Sequence, residues 1–219
     1  PGIHTLPPRV RQRRYRAYVD TIVDRDVSDL LRVRKNEPFR RLVEQLAART
    51  AQELNLQELG SMLAVQRPTL DAWLDVLRRL SLVQRLPAWT PGETGRDISN
   101  AKYHFVDTGV VAALRGMTEA TFAPTAQPSA LGPLLETAVH GELAKNLPHQ
   151  EESWRLYHWR TSRGYEIDVL ADDGDGHAVH DRILGPAANP CRPVIEVVTV
   201  EPAESGQRFG HGVEHPAGR

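Results

Sequence analysis

A chain of 219 residues, 40% hydrophobic and 25% charged with a formal net charge of −1, has room for one large or two small domains and is composed like an ordinary soluble globular protein. No apolar run approaches the ~18 residues of a membrane span, and Pro1–Pro8 offers neither the charged nor the apolar region of a signal peptide. The lone Cys191 excludes an intrachain disulfide and fits a reducing, cytoplasmic location, while a start at Pro1 rather than Met suggests a fragment or a processed product.

The charge is unevenly spread. Residues 1–35 hold nine Arg or Lys against four Asp or Glu, a balance of +5, whereas residues 166–219 hold four against ten, a balance of −6. A basic start and an acidic end suit partners of different sign, nucleic acid near the basic end; two solvated surfaces would carry the same pattern. Only Lys35, Lys102 and Lys145 are lysines, and the other 24 basic residues are arginine. GC-rich coding produces the same bias, so arginine abundance alone does not identify a nucleic-acid-binding protein.

In chain order, residues 9–34 read as a helix with a basic face, Tyr15, Tyr18, Val19, Ile22, Val23, Val27, Leu30 and Leu31 forming its apolar stripe. Pro38 sits where a second helix should start. Phe39, Leu42, Val43, Leu46 and Ala47 then fall at i, i+3, i+4, i+7 and i+8, one buried face. Asn55 is placed to cap a short helix over 56–63, and Ala64-Val65-Gln66 leads to a third helix from about Arg67, with Leu70, Trp73, Leu74, Leu77 and Leu80 inward. Two short helices joined by such a turn match a helix-turn-helix. Ser81–Trp89 and Ala101–Val106 read as strands around the turn-rich 91–96, which makes the whole a winged helix at about residues 50–106.

A short helix follows Asp107-Thr108-Gly109, through Leu114. Thr118–Pro133, with three prolines, reads as loop, and Leu134–Leu147 as helix. Trp154–Arg160 and Tyr165–Ala171 read as strands flanking Thr161-Ser162-Arg163-Gly164, a hairpin signal; Trp154, Tyr157 and Trp159 suit a core better than a base-stacking platform. Beyond Asp172 the periodicity fails: residues 174–219 contain twelve Gly or Pro, and Val194–Val200 is the one strand candidate.

Three stretches carry a family resemblance: Tyr18–Val27; Leu82–Trp89 followed by Lys102–Gly109; and Leu131–Glu136 with Arg160 and Gly164–Asp168. Together they resemble the uncharacterised domain that follows the ATPase module in many bacterial AAA-superfamily ATPases, over about residues 10–175. The resemblance implies an α+β fold: a winged helix-turn-helix followed by a small mixed α/β, restriction-endonuclease-like domain of the PD-(D/E)xK kind, incomplete at its C-terminus. The expected organisation is a basic linker helix at 1–35, the winged helix at 36–106, a degenerate nuclease-like domain at 107–200 and a disordered tail at 201–219.

The ATPase itself is missing. None of the three lysines follows a glycine, so no phosphate-binding Gly-Lys-Ser/Thr loop exists and ATP is not expected to bind. On the helix-turn-helix, Arg67, Thr69, Arg78 and Arg79 of the third helix and Arg85 and Arg96 of the wing are the candidate contacts to double-stranded DNA. Asp71 and Asp75 on the same helix would repel phosphate, and winged helices also dock proteins, so an ATPase module or another partner protein is the competing ligand.

For a nuclease-like site the resemblance supplies Glu136 from a helix, Asp168 from a strand with Glu166 on the same face, and Glu196, with Glu136 and Asp168 as ligands for Mg²⁺. Valine occupies position 198, where the catalytic lysine should stand, and no lysine follows Lys145. A degenerate site is therefore expected, with no cofactor. The loss of pattern near residues 174–180 fits a reading-frame change relative to the family. Asp172-Asp173-Gly174-Asp175-Gly176 lacks the spacing of a calcium loop, and neither the nine histidines nor Cys191 suggest zinc.

The function expected is a non-catalytic C-terminal region of an AAA-superfamily ATPase, DNA-associated or partner-docking through its winged helix, with no membrane partner and with oligomerisation left open. The alternatives are a metal-dependent PD-(D/E)xK nuclease and a regulatory component of a toxin–antitoxin-like system.

Overall fold

The computed structural model describes residues 3–27, 37–89, 100–123, 128–149, 153–160, 166–172 and 178–181. Over these residues the chain is α+β, with six α-helices and two small antiparallel sheets. It divides into two compact units, Pro1–Arg85 with Lys102–Gly141, and Leu86–Ala101 with Glu142–Arg219.

The first unit begins with α1 (Pro8–Thr21), whose leading proline costs no hydrogen bond because a first-turn N–H has no helical partner. It runs into a π-helical turn, Ile22–Val27. The remainder of the helix expected to residue 34 lies outside the described residues. Val19, Ile22 and Val23 are buried, and α1 lies against α5 (Thr108–Leu114). Two α1 side chains satisfy carbonyls at the end of α5: Gln12 Nε2 donates to Met117 O and Arg16 Nε to Ala113 O, each at 3.1 Å.

Between these polar ties, the Tyr15 ring fills a notch left by Gly109, where a Cβ would sit 2.3 Å from the ring. Asp107 caps α5 by accepting from Gly109 N at 2.7 Å. Burial, and then the neighbouring Asp107 carboxylate, raise the Tyr15 phenol pKa above 10.0. The Asp107-Thr108-Gly109 motif is thus a cap plus a seat for α1.

In α2 (Glu37–Ala48), Phe39, Leu42, Val43, Leu46 and Ala47 are all buried, the face read from their spacing. Asn55 Oδ1 accepts from Gln57 N and Glu58 N at 3.0 and 3.1 Å and starts α3 (Leu56–Leu63). Ala64, in the left-handed region at φ 54°, ends it. The turn returns so closely that a Cβ on Gly60 would lie 3.1 Å from Val65 O. In α4 (Arg67–Arg79), Leu70, Trp73, Leu74, Val76 and Leu77 face inward, and Trp73 meets Phe39 edge to face with ring centroids 5.5 Å apart. Strand β1 (Val83–Leu86) pairs with β2 (Lys102–Phe105), and Glu53, just before α3, bridges antiparallel to Lys102. The residues expected to form the tip of a wing, with Arg96, lie outside the described residues.

The stretch expected to be loop behaves differently. A 3-10 turn forms at Glu119–Phe122, and α6 spans Pro128–Asn146 with Pro133 inside it. An internal proline removes one N–H and crowds the preceding turn, which is why three prolines read as loop. Here Pro128 is at the first position, and burial of Leu134, Glu136, Thr137 and His140 offsets the single missing bond.

The second unit holds β3 (Arg155–Arg160), β4 (Glu166–Asp172) and β5 (Ala178–Asp181), in that order and antiparallel. The register slips between Tyr157 and Trp159, and residues 87–89 attach there: His158 N donates to Pro87 O at 2.9 Å and Trp89 N to His158 O at 2.6 Å. Tyr157, Ile167 and Leu170 form the core with Trp89 and Trp159 against it. Strand β5 was not legible in the sequence, because four residues are too few to show alternation and the pairing with β4 stabilises it. The hairpin turn at 161–164, the strand candidate Val194–Val200 and the tail lie outside the described residues.

Gly109→Ala tests the α1–α5 seat. Helix propensity alone would make it stabilising by up to about 1 kcal/mol; displacement of Tyr15 should instead cost about 1–3 kcal/mol in urea unfolding. In a Tyr15→Ala background the same substitution should become neutral or stabilising.

Candidate functional site

Helix α4 presents its polar face outward. Arg67, Thr69, Arg78 and Arg79 are all exposed on α4, and Arg85 is half-buried on β1. A groove between α3 and the start of α4 is lined by Leu56, Gln57, Gly60, Ser61, Ala64, Val65, Gln66 and Arg67. The arginines are partly matched from their own helix. Arg67 Nε donates to both Asp71 oxygens at 2.9 Å, and Arg78 Nη1 to Asp75 Oδ1 at 2.9 Å. Exposed pairs of this kind contribute only about 0.3–0.5 kcal/mol, so a phosphate oxygen can displace them.

A buried cluster joins Glu136, a residue the resemblance singled out, to Lys102, His104, Thr137 and His140, which the sequence analysis did not assign to a site. Lys102 and His104 share one face of β2, and Glu136, Thr137 and His140 lie one turn apart on α6. Lys102 Nζ donates to Glu136 Oε1 at 2.9 Å, with side chains 3% and 11% exposed. His104 Nε2 is 3.9 Å from the same oxygen. The His104 ring stacks on His140 with centroids 4.3 Å apart, while its Nδ1 lies 3.3 Å from Thr137 Oγ1. That hydroxyl also meets Thr50 Oγ1 at 2.9 Å. Burial lowers the His140 pKa to about 4, leaving it neutral at pH 7.

Lys102–Phe105 forms the expected strand, and all four of its residues are buried, the polar Lys102 and His104 included. The available signal was Lys102 itself, one of only three lysines in the chain.

Of the residues the resemblance assigned to a nuclease-like centre, Glu136 belongs to this ion-pair cluster in the first unit. Asp168 lies in the second unit, half-buried on β4 in alternation with the buried Ile167 and Val169, and Glu166 stands opposite Arg160 in the β3–β4 register. Asp172, at the end of β4, accepts from Trp89 Nε1 at 3.0 Å. Glu196 lies outside the described residues. Among the described residues no group of three or more His, Cys, Asp or Glu could hold a metal ion, and no helix is long and apolar enough to cross a membrane.

Residues 131–180 match a domain of unknown function (DUF4143) that is found in AAA-ATPase-associated proteins. Residues 3–121 match a second domain of unknown function (DUF8612). That match spans more than half of the chain, which therefore belongs to the DUF8612 family. No curated protein and no solved structure matches it.

Two outcomes follow from the buried cluster. Lys102→Met strands the Glu136 carboxylate and should cost about 3–5 kcal/mol in urea unfolding, most of it regained when Glu136→Leu is added; a cost under about 1 kcal/mol would show that the pair is solvated. The second concerns pH. Because His140 binds its proton less well folded than unfolded, its contribution is complete above pH ~6.5 and is lost as pH falls toward about 4. The loss should reach about 3 kcal/mol, and stability curves of His140→Phe should lack that part of the slope.

Proposed function

We propose that this member of the DUF8612 family is a non-catalytic region of an AAA-superfamily ATPase that associates with double-stranded DNA through its winged helix-turn-helix. The observation that carries the reading is the exposed helix α4, with Arg67, Thr69, Arg78 and Arg79 outward on a stem whose inward face is wholly apolar. A helix so presented fits a major groove, and arginine serves either phosphate or guanine there. The match over residues 131–180 to a domain found in AAA-ATPase-associated proteins supports the ATPase context.

The non-catalytic part has its own support. The sequence holds no Gly-Lys-Ser/Thr loop. Glu136, the helix carboxylate a PD-(D/E)xK site would need for Mg²⁺, is already neutralised by Lys102 in a buried pair. A buried ammonium 2.9 Å from Glu136 Oε1 competes with a divalent cation for that carboxylate, which supports the non-catalytic reading. One observation favours a second reading, docking of the ATPase module or another protein: Asp71 and Asp75 dilute the positive charge of α4 through their pairs with Arg67 and Arg78.

A gel-shift titration with duplex DNA at two salt concentrations, with and without Mg²⁺, separates these readings. Binding that weakens steeply with salt, and no cleavage, is expected. Mg²⁺-dependent cleavage abolished by Asp168→Ala would overturn the non-catalytic reading, and no affinity at low salt would leave protein docking.

A further inference from the structure

The arginines of α4 are not the most available positive charge on the first unit. Helix α1 carries Arg9, Arg11, Arg13, Arg14 and Arg16 within its first nine residues, and no acidic residue lies between Pro8 and Val19. The acids that follow, Asp20 and Asp24, are both engaged by Arg40. Among the described residues, Arg9, Arg11, Arg13 and Arg14 make no ion pair, whereas on α4 Arg67 and Arg78 each have an aspartate on their own helix and Arg79 alone has none.

Helix stability does not explain this arrangement. Cations near a helix N-terminus oppose the helix dipole, which favours anions there, and the first turn of α1 has no acidic residue. Nor is the helix a loosely held arm: Gln12, Tyr15 and Arg16 fasten one side of it to α5. Arg9, Arg13 and Arg14 are exposed on the remaining arc, with Arg9 and Arg13 about 6 Å apart along the axis. No large apolar side chain is exposed on α1 before Tyr18. A protein interface needs an apolar centre, whereas a nucleic-acid backbone needs only positioned charge and N–H groups.

We propose that α1 is the principal phosphate-binding element of this protein, the arginines of Arg9–Arg14 neutralising the backbone of a DNA duplex while α4 makes the weaker electrostatic contact. This rests on the reading of the protein as DNA-associated, and deepens it by moving most of the salt dependence away from the helix-turn-helix. Each phosphate neutralised contributes about 0.9 to the slope of log K against log salt concentration.

The test is a fluorescence-anisotropy titration of a labelled duplex of about 20 base pairs over a salt series. It compares the full chain with the triple variant Arg9→Gln, Arg13→Gln, Arg14→Gln and with the double variant Arg67→Gln, Arg78→Gln. The triple variant should lower the slope by about 2–3 and the affinity at ~0.1 M salt by tenfold or more, and the double variant should lower the slope by less than 1. Melting of the triple variant should be unchanged or slightly higher, since it removes charge opposed to the helix dipole.

A slope kept by the triple variant and lost by the double variant overturns the assignment to α1 while leaving the DNA-binding reading intact. Absence of binding by the unaltered chain overturns both. Displacement of the duplex by polyglutamate at equal charge concentration also overturns the assignment and identifies an acidic polypeptide as the ligand of α1.

Discussion

The ion pair between Lys102 and Glu136 sets the terms for the first unit. Two charges shielded from water cost several kcal/mol each unless partners replace their hydration, and the cluster meets that demand at a 2.9 Å separation with His104 close to the same carboxylate oxygen. The consequence reaches outward along β2. Because α6 covers the polar face of that strand while Tyr103 and Phe105 are buried with it, β2 itself has no wet side. Glu53 bridges to Lys102, and Ala51 N donates to Tyr103 O at 3.2 Å, so the segment leading into α3 is tied to the same strand. Strand β2 is thereby joined to the helix that carries the start of the region matched to DUF4143.

Charge on the surface follows a different logic from charge inside. The pairs on α4 are exposed and weak, so they leave its arginines exchangeable, and their chief effect is to lower the net positive field of that helix. On α1 the arrangement is reversed: the acids are taken up by Arg40 at the far end, and the arginines collect at the end where the helix dipole is already positive. An anionic ligand would resolve that conflict, which is the ground for the proposal that α1 is the stronger of two electrostatic contacts. The buried carboxylate of Glu136 belongs to neither, since its partner is within the fold.

Much of the first unit is legible in the sequence. The α2 stripe from Phe39 to Ala47, the Asn55 cap, the start of α4 at Arg67 and the Asp107 start of α5 follow from side-chain period and capping chemistry, which act over a few residues and leave a local trace. Where a distant element decides, the trace disappears. Pro133 inside α6 is tolerated because that helix is buried, β5 exists through its pairing with β4, and Gly109 is required by the ring of Tyr15, far away in sequence.

The sequence by itself determined the helices α2, α3 and α4, the uneven charge, and the lack of a Gly-Lys-Ser/Thr motif within these residues, since each depends on neighbouring residues or on composition alone. Only the tertiary structure decided what Glu136 does. Nothing in the spacing of residues 102, 104, 136 and 140 relates β2 to a helix that itself contains two prolines; once α6 packs on β2, desolvation makes Lys102 the necessary partner of Glu136. The same holds for the arginines, whose number is visible in the sequence, while which of them are already paired depends on where the aspartates come to rest.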